Sequence, residues 1–478
     1  MISLSNTMLV MLGTSLLGAV AGVVGSFAVL RRRALVGDLL AHAALPGLCL
    51  AFLLLNYRPL ANRWFGAAGG GAGGGWQFTA MLAGAFATGL AGVALVTLVC
   101  RYTRTKEDAA IGIVLSTFFG AGVVLSSLIQ NLPTAASKAG LQTYIYGQAA
   151  GMTREDVWFI TIVAAACLAI VTLLYKEFKV FSFDPGFAKA QGWPTLALDL
   201  VMMGTLALVT VVGLPTVGVV LMAAMLIIPG AAARFWTDQL GRMLALSAVI
   251  GAGAGIGGTL ISAGTLEHVL GFDPLAFGHN TRNLPTGPVI VLCGTALFVI
   301  SMLFAPRRGA VARLSRAVSV RRRIERENLL RTLYELSEPR LDDLPEVPTA
   351  QLVDDRSWSP RAVHTLVRAG ARAGLVARTP RGVRLTAAGR IRAERLVRTH
   401  RLWELFLISG ADIAPDHVDR DADSIEHFLT AEIVGQLESQ LSAEGRLPRA
   451  AGAIPASPHL LPATAVGPAV GNEGGGHG

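Results

Sequence analysis

Apolar residues fill the first two thirds of the chain in runs of about twenty, parted by short polar stretches; the last third instead mixes apolar and charged positions residue by residue. A membrane-crossing helix needs roughly 20 mostly apolar residues. Nine stretches meet or approach that length, near 8–30, 34–55, 78–100, 109–130, 157–175, 196–213, 214–233, 243–263 and 286–305. Only Gly213-Leu214-Pro215 parts the sixth from the seventh, which predicts a tight turn there. Beyond the last run, Asn328–Leu336 has the periodicity of an amphipathic helix and Thr349–Asp355 that of a short second one. Ser359–Gly370 reads as a third helix, capped by Ser359 with Pro360 in its first turn, and Gly374–Thr386 as two strands around Pro380-Arg381-Gly382. That order predicts a winged helix-turn-helix behind an all-helical polytopic membrane part.

Composition sharpens the division. Hydrophobic residues make up 52% of the 478 and charged residues only 15%, which excludes a single water-soluble domain. Residues 1–310 carry 18 Lys+Arg against 11 Asp+Glu, and residues 311–478 carry 23 against 21. With the N-terminus outside, eleven positive residues fall in inner loops (Arg31, Arg32, Arg33, Arg101, Arg104, Lys106, Lys176, Lys179, Lys189, Arg234, Arg242) and five in outer ones. This bias predicts an odd number of spans and a cytoplasmic C-terminal part. The first apolar run has no basic residue ahead of it and runs into Arg31–Arg33, the pattern of a retained anchor. Cys49, Cys100, Cys167 and Cys293 each sit in or at the end of an apolar run without a CxxC pair, as packing residues do.

Two motif searches are informative by exclusion. Gly253, Gly255 and Gly258 satisfy G-x-G-x-x-G, but inside an apolar run with no preceding strand, where small residues serve close helix packing. No lysine follows a glycine anywhere, so the phosphate-binding G-x-x-x-x-G-K-[ST] loop is missing and no nucleotide site is expected on this chain.

Charged groups within an apolar span are costly, which draws attention to Asp38 and His42. Their i,i+4 spacing puts them on one helix face, and together they offer half of a site for a first-row divalent metal. The alternative is an interfacial helix-start aspartate and a histidine bonded to a neighbouring helix. Phe183–Gly192 reads as a short helix opened by Asp184-Pro185 and closed by Gly192, lying between two spans. Glu267, His268 and His279 fall in the last outer loop, where such residues serve as ligands or are simply solvated. Eight arginines between 307 and 326 suit an anionic lipid surface or phosphates. From Arg356 to Arg401 twelve arginines face Glu394 alone. From about Arg446 the chain is rich in Ala, Gly and Pro and is expected to be disordered.

The segment Arg31–Gly47, with FDPGFAKAQGWP at 183–194, PTVGVVLMAAMLIIPGAAAR at 215–234 and LPTGPVIVL at 284–292, resembles the manganese/zinc/iron ABC importer permeases over residues 8–305. The resemblance implies a pair of permease subunits enclosing a metal path lined by Asp38 and His42. It also implies two cytoplasmic ATPases and an extracytoplasmic metal-delivering protein in the bacterial inner membrane. Asp184, Pro185, Gly186, Phe187, Ala188, Lys189 and Gly192 would form the coupling helix that docks on the ATPase. Residues 385–407 and 421–430 resemble the iron- and manganese-dependent repressors of the diphtheria-toxin-repressor type, covering about 324–442 as DNA-binding and dimerisation parts. Their ligand positions fall on His400, Glu404, Asp419, Asp423, Glu426 and His427, while two further ligand positions carry Asn328 and Arg331.

The organisation expected is therefore a permease at 1–306, an Arg-rich linker at 307–323, a winged helix at 324–388, metal-binding and dimerisation helices at 389–445, and a tail. A divalent metal (Mn, Zn or Fe) is expected as substrate and can also act as regulator; for the C-terminal domain a metal-responsive regulatory or dimerising role is favoured over that of a working repressor, with DNA as the alternative partner. A membrane-tethered metal-dependent transcriptional regulator and a secondary transporter without an ATPase are the competing readings.

Overall fold

The computed structural model describes residues 2–56, 74–131, 147–264, 284–338, 345–356, 358–410, 431–443 and 454–455. Asp419, Asp423, Glu426 and His427, like Glu267, His268 and His279, lie outside the described residues. Two compact units divide after Leu314.

In the first unit the apolar runs are helices: α1 (Ile2–Leu30), α2 (Leu35–Asn56), α3 (Gly74–Tyr102), α4 (Glu107–Gln130) and α5 (Arg154–Leu173). Two short helices follow, α6 (Tyr175–Phe183) and α7 (Pro185–Ala190). Then come α8 (Thr195–Val217), α9 (Val219–Trp236), α10 (Leu240–Ser262) and α11 (Thr286–Phe304). Among the described residues eight of these are long and apolar enough to cross a membrane; the seventh expected span, α9, is a shorter apolar helix over Leu221–Trp236. Its start also differs from expectation. The turn expected at Gly213–Pro215 is absent, because α8 continues through Pro215 and breaks at Gly218, whose φ of 90° and ψ of 163° only glycine adopts readily.

α1 is a central strut, packed on α10, α9 and α5, while α2 packs on α3 and α4. Small residues allow the closest approaches. A Cβ at Gly18 or Gly251 would overlap the other residue's carbonyl oxygen, and one at Gly255 would stand 2.6 Å from the Thr14 carbonyl oxygen. The Thr14 and Thr259 hydroxyls hydrogen-bond across the same α1–α10 seam at 3.0 Å. Cys49 and Cys167 are buried free thiols within this packing.

Next comes α12 (Ala310–Ser337), one unbroken helix that takes in the Arg-rich stretch from Ala310 onward and the amphipathic segment expected to begin at Asn328. α13 (Thr349–Arg356), α14 (Pro360–Arg372), β1 (Val376–Thr379), β2 (Gly382–Leu385), α15 (Ala387–Gly410) and α16 (Ala431–Ala443) complete it. Ser359 caps α14 by accepting from the Ala362 amide at 3.2 Å. The two strands pair antiparallel, Val376 opposite Leu385, and Val347 bridges to Val383 as a third edge of the wing. Leu329, Leu333, Leu352, Val367, Val383 and Val397 form its core. The tail expected to be disordered contributes one anchored point. The Pro455 carbonyl accepts from Arg401 Nη1 at 2.9 Å, and Pro455 is buried.

Candidate functional site

The first two turns of α2 carry the candidate metal ligands. Asp38 follows the helix start by three residues, and one turn later His42 Nε2 lies 3.3 Å from Asp38 Oδ1. The imidazole is held edge-on by Phe119 of α4, ring centroids 4.9 Å apart. His42 Nδ1 is buried without a hydrogen-bond partner. In the neutral tautomer with its proton on Nε2, toward the carboxylate, Nδ1 keeps a bare lone pair, the form of imidazole nitrogen that binds a metal. Among the described residues no group of three or more His, Cys, Asp and Glu side chains stands close enough to hold a metal ion.

An ion-pair network braces the α1–α2 turn next to this pair. Arg31 and Arg33 both pair with Asp199 in the first turns of α8, Arg33 at 3.1 Å. Arg33 Nε also reaches Glu107 at the start of α4 at 2.6 Å, and the Arg31 guanidinium lies over the Phe181 ring of α6, 4.2 Å from its centroid. The same face of the unit carries α7. Asp184 caps it by accepting from the Phe187 amide at 2.9 Å, Pro185 opens it, and Gly192, at φ of 80°, ends it. Within this short helix Ala188 is buried, while Phe187 is 50% exposed and Pro185, Gly186 and Lys189 are exposed too.

In the C-terminal unit, His400 and Glu404 face each other one turn apart on α15, with Nε2 to Oε1 at 3.1 Å. Arg331 of α12 reaches the other ring nitrogen, Nη1 to Nδ1 at 2.9 Å. Beside them Arg401 clasps Glu338 through two nitrogens, at 2.8 and 2.5 Å. Burial pulls the Arg401 pKa down, but the hydrogen bonds and charge of Glu338 outweigh it and leave it above the usual value. On the other side of the unit, Arg361, Arg368 and Arg372 of α14 and Arg378, Arg381 and Arg384 of the hairpin are exposed.

Residues 3–305 match the ABC 3 transport family. The chain belongs to that family. Residues 386–449 match the iron dependent repressor, metal binding and dimerisation domain, so this ABC 3 transport protein carries a repressor-type domain at its C-terminal end. It is 35% identical over 444 residues, 93% of either chain, to the manganese transport system membrane protein MntC of Bacillus subtilis. It is 37% identical over 307 residues, 64% of this chain and 91% of the other, to the zinc transport system membrane protein TroC of Treponema pallidum. Over 299 residues, 63% of this chain and 86% of the other, it is 31% identical to the chelated iron transport system membrane protein YfeC of Yersinia pestis. Eight long apolar helices and membership of the ABC 3 transport family make the chain a multi-pass membrane protein.

Reading the sequence alone missed the partners that this transport protein gives its own charges. Asp199 is a lone acid inside TLALDLV, the same cost signal that singled out Asp38, and it marks the residue that gathers Arg31 and Arg33. Nothing in the local pattern points from Arg331 to His400, because the two meet only through tertiary packing.

Proposed function

We propose that the chain is the permease subunit of an ATP-driven importer of a divalent transition metal in the bacterial inner membrane, with Mn2+ as first cargo and Zn2+ or Fe2+ as alternatives. The N-terminus is outside and the C-terminal unit in the cytoplasm. The observation that carries the reading is the Asp38–His42 pair, with its bare buried nitrogen at the start of α2. Manganese comes first because a relative 35% identical across both units is a manganese transport system membrane protein. Carboxylate and imidazole suit all three ions, so cargo choice rests with geometry and supply. One chain offers two ligands, and a second permease subunit, identical or different, supplies the others from across the path. An extracytoplasmic metal-binding protein delivers the ion.

A separate ATPase dimer drives transport, and α7 is where it docks. Phe187 is the anchor: it stands half exposed beside the cap that fixes the helix start. Phe187→Asp is expected to lower Mn2+ uptake by about tenfold or more, the loss typical of removing an interface hot spot, with unchanged amounts of chain in the membrane. Accumulation of Mn2+, Zn2+ and Fe2+ in cells expressing the chain with the ATPase and binding protein encoded beside it tests the whole reading. Uptake by the chain in proteoliposomes without any ATPase would sink it.

The C-terminal unit is proposed as a dimerising regulatory module for the permease pair. The exposed arginines of α14 and the hairpin favour a second reading, contact with DNA phosphates. Salt-sensitive, sequence-specific DNA capture by the detergent-solubilised chain would move that reading to first place.

A further inference from the structure

The metal-binding role attached to the repressor-type domain meets an obstacle at His400. Arg331, His400 and Glu404 are 3%, 2% and 1% exposed, so their polar atoms are cut off from water and need partners within the protein. A guanidinium only donates hydrogen bonds and keeps its charge at any ordinary pH. The 2.9 Å contact from Arg331 Nη1 therefore makes His400 Nδ1 the acceptor and occupies its lone pair. Nε2 must then carry the ring proton, and it lies 3.1 Å from Glu404 Oε1. Neither ring nitrogen is left to bind a metal, which requires an unprotonated nitrogen with a free lone pair. A divalent ion entering beside His400 would also face the fixed positive charge of Arg331. That charge is held in place by a second contact, Arg331 Nε to Glu335 Oε1 at 2.9 Å.

We propose that Arg331 is a built-in cation, which takes at the His400–Glu404 cluster the place of a metal ion and holds α12 against α15 without one. The energetic argument is the same for either cation. A buried carboxylate such as Glu404 is costly unless positive charge nearby offsets its desolvation, and Arg331, bonded to the neighbouring His400 ring, brings that charge permanently. The C-terminal unit then keeps its folded arrangement at this cluster whether the cell is rich or poor in metal. This inference is independent of the transport reading, which concerns ligands on α2.

Hydrogen exchange on the full chain in detergent, read by mass spectrometry on peptides within 324–338 and 390–407, tests it locally and apart from any metal in the membrane part. Three conditions are compared: chelator, excess Mn2+ and excess Zn2+. The native chain is expected to exchange equally in all three. Arg331→Met, which keeps the length of the side chain but not its charge, is expected to exchange about tenfold faster or more in chelator, since it removes the charged donor to the buried His400 ring and to Glu335. Metal-induced protection of these peptides in the native chain would overturn the proposal, as would Arg331→Met exchanging like the native chain. Should Arg331→Met fail to fold, the native chain with and without metal decides alone.

Discussion

Cells producing the Asp38→Ala or His42→Ala chain are expected to accumulate no more Mn2+ than cells lacking the chain, with the amount of protein in the membrane unchanged. The expected loss is at least about a hundredfold, because even groups that merely orient a metal ligand are worth 10- to 100-fold. Asp38 is about one third exposed, and its contact with His42 at 3.3 Å is long for a strong ion pair, so Asp38→Ala is expected to leave helix packing intact. His42→Ala also gives up the edge-on contact with Phe119, and the amount of protein in the membrane is the check on that variant. His42→Gln is the informative companion, since it keeps a hydrogen bond to Asp38 but offers only a weak oxygen ligand in place of the imidazole nitrogen. If His42→Gln transports normally, His42 is a structural partner of Asp38 and not a ligand. Radiolabelled Mn2+ uptake with immunoblotting of membranes makes the measurement, and uptake indifferent to all three substitutions removes the pair from the path.

The parts of this protein that were legible in its sequence are those set by local patterns. Apolar runs gave the spans to within a few residues, and the caps at Asp184 and Ser359 are seen as read, because a side chain bonding an amide three residues on needs no distant partner. The break between α8 and α9 was misplaced for a physical reason. Pro215 near a helix end removes one hydrogen bond without ending the helix, whereas the backbone of Gly218 enters a region closed to other residues. Which of two nearby glycines takes that conformation depends on the packing of α9. Long-range charge pairing was equally hidden: Asp199 lies 166 residues from Arg33, and Arg331 lies 69 from His400. The candidate metal pair was legible because both members stand on one turn of one helix, while its missing ligands are expected from another chain.

Glycine at 251 carries the second large effect. Gly251→Leu is expected to destabilise the membrane unit by more than about 3 kcal/mol, beyond the usual range for overpacking a core. In an ordinary core a side chain escapes a larger neighbour by changing rotamer. Here a Cβ at Gly251 would overlap the Gly18 carbonyl oxygen, and one at Gly18 the Gly251 carbonyl oxygen, so backbone meets backbone and only separation of α1 from α10 relieves the clash. Separation is costly because α1 also packs on α9 and α5 and because the hydrogen bond between the Thr14 and Thr259 hydroxyls would be lost in an apolar setting. Gly253→Leu, two residues away on the same helix, is the control. A Cβ there meets only the Leu297 side chain, at 3.8 Å, so this variant is expected to fold nearly as well as the native chain. The monodisperse fraction after detergent extraction, followed by gel filtration, reads both variants. Equal recovery of the two would show that the α1–α10 approach is looser than this geometry requires, whereas selective loss of Gly251→Leu ties the small-residue run at 251–258 to helix packing, which is the role its decoy G-x-G-x-x-G spacing conceals.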